Sequence, residues 1–193
     1  MPDELSIQDG DRIISGRFCF RSRRTVQVEI INALYPFRMT TTMYVVESRS
    51  PGGLLGEEGM RVALGQLRYL DRLCRHLEKN RAACLAGYHD FSTIVEKLRF
   101  SNGLSDFFFD AICEELEAER KEGGMDQKEY DQRIAEADMR KGQYHRAYRS
   151  IRKEFFARII PFKIDAELEE QVLAWLRWND VDGRKEMVQL SHS

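Results

Sequence analysis

RFCFRSRRTVQVEI, residues 17–30, alternates apolar and polar side chains. Phe18, Phe20, Val26, Val28 and Ile30 share one parity; Arg17, Arg21, Arg23, Thr25, Gln27 and Glu29 share the other. Successive strand side chains point to opposite faces, so a period of two predicts a strand with one apolar and one basic-polar face. Ser22 and Arg24 interrupt the apolar parity and leave two readings open, two strands or one bulged strand. Beyond Pro36, residues 37–47 read as a further strand. Phe37, Met39, Thr41, Met43 and Val45 lie on one side, and Arg38, Thr40, Thr42 and Tyr44 on the other. SRSPGG, residues 48–53, is a breaker. Residues 1–11 carry Asp3, Glu4, Asp9 and Asp11 and read as a flexible polar tail.

From Glu57 the period becomes helical. Met60, Ala63, Leu67, Leu70, Cys74 and Leu77 step by threes and fours, an apolar seam of heptad type. This helix is expected to end near Asn80. Residues 82–89, with Gly87, read as a connection, and Asp90 as the cap of a short helix carrying Phe91, Ile94, Val95 and Leu98. Ser101-Asn102-Gly103 stops it, and Ser105 caps the next, which carries Phe108, Phe109, Ile112, Cys113 and Leu116. Gly123-Gly124 precedes a long helix over residues 127–158, with a bend or split at Gly142 and a stop at Pro161. Residues 162–164 read as a short strand. Asp165 caps a last helix with Leu168, Val172, Trp175 and Leu176 on its apolar face. The expected fold is α+β, mostly α: an N-terminal antiparallel two-stranded ribbon followed by a helical bundle. The organisation is a tail (1–11), a ribbon with helices for DNA binding and dimerisation (12–100), a helical extension (101–178) and a polar tail (179–193).

The chain has 193 residues, 42% hydrophobic and 32% charged, with a formal net charge of -2. Mean hydropathy is -0.51. These values exclude membrane-spanning, collagen-like and fully disordered classes. No apolar run reaches the roughly 18 residues of a spanning helix, and the acidic N-terminus does not read as a signal peptide. Cys19, Cys74, Cys84 and Cys113 form no C-x-x-C pair and fit no zinc spacing, which favours free thiols and a cytoplasmic location.

Whole-chain charge names no partner, but its distribution is uneven. Residues 12–24 hold five Arg and no acid. Residues 106–138 hold twelve acids and four bases; residues 139–163 hold eight bases and one acid. The last two blocks can cancel across an antiparallel hairpin. On the first long helix, Arg61, Arg68, Arg72, Arg75 and Lys79 form a basic stripe beside the seam, with Asp71 and Glu78 offering local pairing. Guanidiniums at helical pitch suit a phosphate backbone. A solvated face paired with the acidic helix is the plainer account. The strands offer a second surface, because a two-stranded ribbon can enter the major groove and read bases with alternate side chains. Arg38, Thr40 and Thr42 meet that need, and so do Arg21, Arg23, Thr25 and Gln27; the wet face of an ordinary sheet would look the same.

Catalytic signatures are weak. There is no phosphate-binding glycine loop, no zinc-protease helix and no nucleophile elbow. His89-Asp90, helped by His76 or His145, is the one pair that could begin a divalent-metal phosphohydrolase site. No ligand spacing supports it, and Asp90 has a capping role to fill. The expectation is no catalytic residue, no metal, no cofactor and no small-molecule ligand.

A strand with outward Arg38, Thr40 and Thr42 followed by two helices resembles the ribbon-helix-helix DNA-binding proteins, over about 60 residues. In that family the strands pair across a two-fold axis in the major groove, and large members occur as regulators of conjugative and other mobile elements. The resemblance implies a homodimeric transcriptional regulator of double-stranded DNA. Arg21, Arg23, Arg38, Thr40 and Thr42 would touch DNA, while Arg61, Arg68, Arg72 and Arg75 would hold phosphates. The long loop at residues 48–56 and the long first helix depart from the family pattern. The rival readings are a helical adaptor protein with no nucleic-acid binding and the metal-dependent phosphohydrolase.

Overall fold

The computed structural model describes residues 3–22, 24–32, 35, 38–45, 55–102 and 106–190. Within them the protein is α+β and mostly helical. Strands β1 (Asp3–Asp9), β2 (Arg12–Phe20), β3 (Thr25–Ile30) and β4 (Thr40–Tyr44) form one antiparallel sheet in chain order. Helices α1 (Glu57–Lys79), α2 (Arg81–Asn102), α3 (Asp106–Lys121), α4 (Gln127–Ile159) and α5 (Ala166–Leu190) follow. The sheet corrects the expected two-stranded ribbon. Residues 17–30 are two strands joined at Arg21–Arg24, where the amides of Arg21 and Ser22 donate to the Thr25 carbonyl. β1 comes from residues read as a polar tail. Its Leu5 and Ile7 are buried, and Gly10, at φ +61°, supplies the turn that pairs Asp9 with Arg12.

The chain divides into two compact units, Met1–Leu85 with Phe162–Ser193, and Ala86–Pro161. In the first, α1 packs across one face of the sheet. Ile14, Phe18, Val26, Val28 and Ile30 meet the seam predicted on α1, where Ala63, Leu67, Leu70, Cys74 and Leu77 are all buried. The approach is close at Gly16: a Cβ there would stand 2.5 Å from Leu67 Cδ1 and 2.8 Å from the Glu29 carbonyl oxygen. α5 lies beside β4. Asp165 caps it as predicted, accepting from the Leu168 amide at 2.9 Å, and Leu168, Val172 and Leu176 are buried.

In the second unit, α3 and α4 form a hairpin, with Asp126 as the α4 N-cap. Phe91 of α2 stacks on Phe155 of α4 with ring centroids 4.6 Å apart. Residues 82–89 are helix, not a connection. Ala82, Ala83 and Ala86 favour helix, and Gly87 is there because a Cβ would collide with Ile159. Asp90 therefore stands in mid-helix and caps nothing. Gly142 interrupts nothing, as α4 is continuous. Residues 162–164 form no strand, and α5 runs on past Asn179 to Leu190. The expected breakers at Ser48–Gly53 and Gly103 and the cap at Ser105 lie outside the described residues.

Candidate functional site

The basic stripe on α1 is real, but its members differ. Arg61 is bound to Glu58, one turn back on the same helix. Arg68, Arg72 and Arg75 instead line one cleft of about 480 Å³, with Asp9, Ile14, Gly65 and Asp71. Gly65 stands three residues before Arg68, and a Cβ there would meet nothing within 4 Å, so the cleft is open on that side. Ile14 forms part of its wall from β2.

Asp71 organises this cleft. Its carboxylate is fully buried on the sheet side of α1. Oδ1 accepts from the Tyr35 hydroxyl at 2.9 Å and from Arg12 Nη2 at 3.1 Å. Oδ2 lies 2.9 Å from Arg75 Nε. Arg12 Nη2 also donates to the Tyr35 oxygen at 3.3 Å. A buried carboxylate is tolerated only when charge and hydrogen bonds compensate it, and here two guanidiniums and a phenol do so. Burial, reinforced by the bond to Asp71 and opposed by Arg12, pushes the Tyr35 phenol up to about 12. The bond that Arg12 donates to Tyr35, with Asp71 beside it, pushes the Arg12 guanidinium further above its ordinary value, against some loss from burial.

The other two cleft arginines have no carboxylate partner among the described residues. Arg68 points into the cleft. The Arg72 guanidinium carbon sits 5.9 Å from the Phe162 ring centroid, a ring also flanked edge-on by Tyr69 and His76 of α1. Two cations four residues apart on a helix repel by a few tenths of a kcal/mol. Counting Arg12 and Arg75 against Asp71 and Asp9, the cleft keeps an excess of positive charge. A site of this kind takes an anion with several oxygens, and guanidinium forks match phosphate.

The strand residues are placed differently. Thr40 and Thr42 face away from α1 but are engaged by α5. The Gln171 side chain accepts from the Thr40 amide at 2.8 Å and donates to the Thr40 carbonyl and hydroxyl at 3.0 and 2.8 Å. The Thr42 hydroxyl donates to Glu167 at 3.0 Å. Gln171 thus occupies the outer edge of β4 where a neighbouring strand would bind, one of the ways proteins cover sheet edges. Arg21 donates to Gln27 at 2.6 Å, and Arg38 lies 3.7 Å from Glu29. Arg23 lies outside the described residues. The structure therefore groups Arg68, Arg72 and Arg75 into one site and leaves Arg21, Arg38, Thr40 and Thr42 apart from it.

Arg12, Tyr35 and Asp71 were not among the sequence-predicted site residues. The available signal was an acid, Asp71, next to Leu70 and Leu73 on the apolar side of the helix, where a carboxylate needs a partner. His89 and Asp90 are exposed neighbours in the middle of α2. Among the described residues no group of three or more His, Cys, Asp or Glu could hold a metal ion, and no helix is long and apolar enough to cross a membrane. No protein-family model, no curated protein and no solved structure matches this chain.

Proposed function

We propose that this protein binds the phosphate backbone of double-stranded DNA through the arginine face of α1, and that it acts as a DNA-binding regulator. One observation carries the reading: Arg68, Arg72 and Arg75 converge on a single open cleft, with Arg68 and Arg72 free of any carboxylate among the described residues. Backbone contacts of this kind supply affinity and orientation without reading sequence. Thr40 and Thr42 have partners inside the chain, so base reading by β4 does not form part of the proposal. The reading also needs no strand shared with a second copy, because the four strands pair with one another within the chain.

The test is fluorescence anisotropy with a labelled random-sequence duplex at about 50 and 200 mM salt. Each neutralised phosphate contributes roughly 0.9 to the slope of log affinity against log salt, hence about 3.5-fold over that interval. Arg68→Ala with Arg72→Ala removes two contacts. The wild-type loss between the two salts should then shrink by about twelvefold. Absence of binding at the lower salt, or a slope indifferent to the double substitution, refutes the proposal.

A further inference from the structure

The two large charge blocks of the second unit cancel over only part of their length. α3 has 16 residues and α4 has 33. Their register is fixed by side-chain pairs at both ends of α3. Arg133 of α4 meets Glu119 at 3.1 Å, and the Arg120 guanidinium carbon lies 4.6 Å from the Tyr130 ring centroid. At the other end, Asp106 meets Lys141 at 2.9 Å and His145 at 3.4 Å. α3 therefore runs out opposite His145. Beyond it α4 continues for fourteen residues, and these hold most of the basic block and one acid, Glu154.

That second half is anchored through its apolar side. Tyr148 and Phe155 lie against Phe91 of α2, at 6.3 and 4.6 Å between ring centroids. At about 100° per residue, Arg146, Arg149 and Lys153 fall within roughly 60° of one another, on the side of α4 opposite those rings. All three are exposed. Arg149 donates to the His145 carbonyl at 3.3 Å, while Arg146 and Lys153 have no ion pair among the described residues. Gly142 leaves the space one turn back into which Arg146 folds: a Cβ there would be 3.4 Å from its Nη1. Along the axis the three cations span about 10 Å, enough to meet successive phosphates of one strand.

We infer that the C-terminal half of α4 is a second phosphate-contacting surface, so that each unit carries its own hold on the nucleic-acid backbone. The inference rests on the DNA-binding reading above. Its occupant follows from charge: three adjacent cations with no ion pair among the described residues match a regularly charged polyanion. The acidic face of α3 in a second copy is the competing occupant.

The experiment uses the full chain and the same duplex probe. The variants are Arg146→Gln/Arg149→Gln/Lys153→Gln, the α1 double substitution, and both together. The α4 variant should melt within a degree or two of wild type, because its changes face solvent. It should shrink the wild-type loss of affinity between 50 and 200 mM salt by about fortyfold, as three contacts imply, and the combined variant should show both losses. If the α1 variant loses its slope while the α4 variant keeps it, the inference falls and the DNA reading stands. Should neither variant change the slope, the DNA reading itself falls. A salt-sensitive dimer in sedimentation, abolished by the α4 substitutions with DNA binding intact, overturns the inference in favour of a second copy.

Discussion

Removing the Asp71 carboxylate should unfasten Arg12 of β2 and Tyr35 from α1 and free the Arg75 side chain on the same helix in one step. Asp71 is fully buried and has three partners at 2.9–3.1 Å. Hydrogen bonds to a charged group contribute about 1.5–3 kcal/mol each, and breaking a buried pair by deleting one partner costs about 3–5 kcal/mol. Tyr35 and Arg12 donate hydrogen bonds to Oδ1, whereas Arg75 faces Oδ2 as an ion pair only, and summing all three overstates the loss. The Arg12 and Arg75 side chains are 32% and 45% exposed, so water takes over much of what they lose. What remains is the stranded Tyr35 hydroxyl, two guanidiniums no longer bridged, and a small void. We expect Asp71→Ala to cost about 2–4 kcal/mol, and Asp71→Asn, which keeps the shape and one acceptor, about half of that.

The assay is urea unfolding followed by tryptophan fluorescence. The two tryptophans, Trp175 and Trp178, both lie on α5, in the unit that contains Asp71, so the signal reports the affected unit. With a slope of about 2–3 kcal/mol/M, the midpoint should fall by about 1 M with the slope unchanged. A loss below about 1 kcal/mol at constant slope would show that Asp71 is not the tie we describe, and that Arg75 is held in the cleft by something else.

Four further outcomes follow from the same geometry. Burial, aided by Asp165, pushes the Tyr69 phenol up to about 12, as Tyr35 is pushed, and burial raises the Cys74 thiol. These groups keep their protons in the folded state while the unfolded chain releases them near their ordinary values, about 8.5 for thiol and 10 for phenol. Their stabilisation is complete below those values and is lost as pH rises toward 12. Melting temperature should therefore fall steadily above about pH 9, and Tyr69→Phe should flatten that fall; an unchanged profile counts against the burial argument. Gly16→Ala should destabilise by about 1–3 kcal/mol in urea melts, because the added methyl meets the Glu29 carbonyl as well as Leu67. Gln171→Ala should cost about 1–2 kcal/mol and expose the β4 edge, seen as concentration-dependent light scattering on mild heating; a variant as soluble as wild type would deny Gln171 its covering role. Arg61→Ala should leave DNA affinity within about twofold of wild type, since Arg61 is already bound to Glu58, and an effect equal to that of Arg68→Ala would mean the cleft does not define the site.

How far the sequence discloses this protein depends on whether a signal is local. The α1 seam was legible because its positions repeat at helical spacing, and burial at Ala63, Leu67, Leu70, Cys74 and Leu77 follows from one helix meeting one sheet, although Met60 of that seam is only half-buried and Leu73 outside it is buried. Residues 17–30 were legible as strand for the same reason. β1 was not, because a seven-residue strand with only Leu5 and Ile7 as apolar residues looks like a polar tail until β2 is beside it. Its one local sign was Gly10 in a two-residue turn. Glycine misled twice more for a related reason. Gly87 and Gly142 read as breaks, yet each makes room for a side chain, Ile159 on α4 and Arg146 on its own helix. A glycine states that space is needed and does not state what fills it.

The charges show the same limit in a form that bears on function. In the sequence, Arg61, Arg68, Arg72 and Arg75 are four members, with Lys79, of one stripe. Glu58 removes Arg61, Asp71 fixes Arg75, and Arg68 and Arg72 remain to act on something outside the chain. For the two blocks of the second unit, nearly equal and opposite net charges likewise suggested cancellation across the hairpin. Cancellation requires that the partners lie opposite one another, and α3 ends where the densest basic run begins. A cation becomes informative once its neighbours have been placed and it still lacks an acid. Among the described residues this criterion points to the α1 cleft and the outer face of α4, each built from cations set on a helix whose other side is pinned by buried rings or leucines. Surfaces of that construction present charge at fixed spacing, which is what a regularly charged partner such as a phosphate backbone rewards and what a solitary mobile lysine cannot supply.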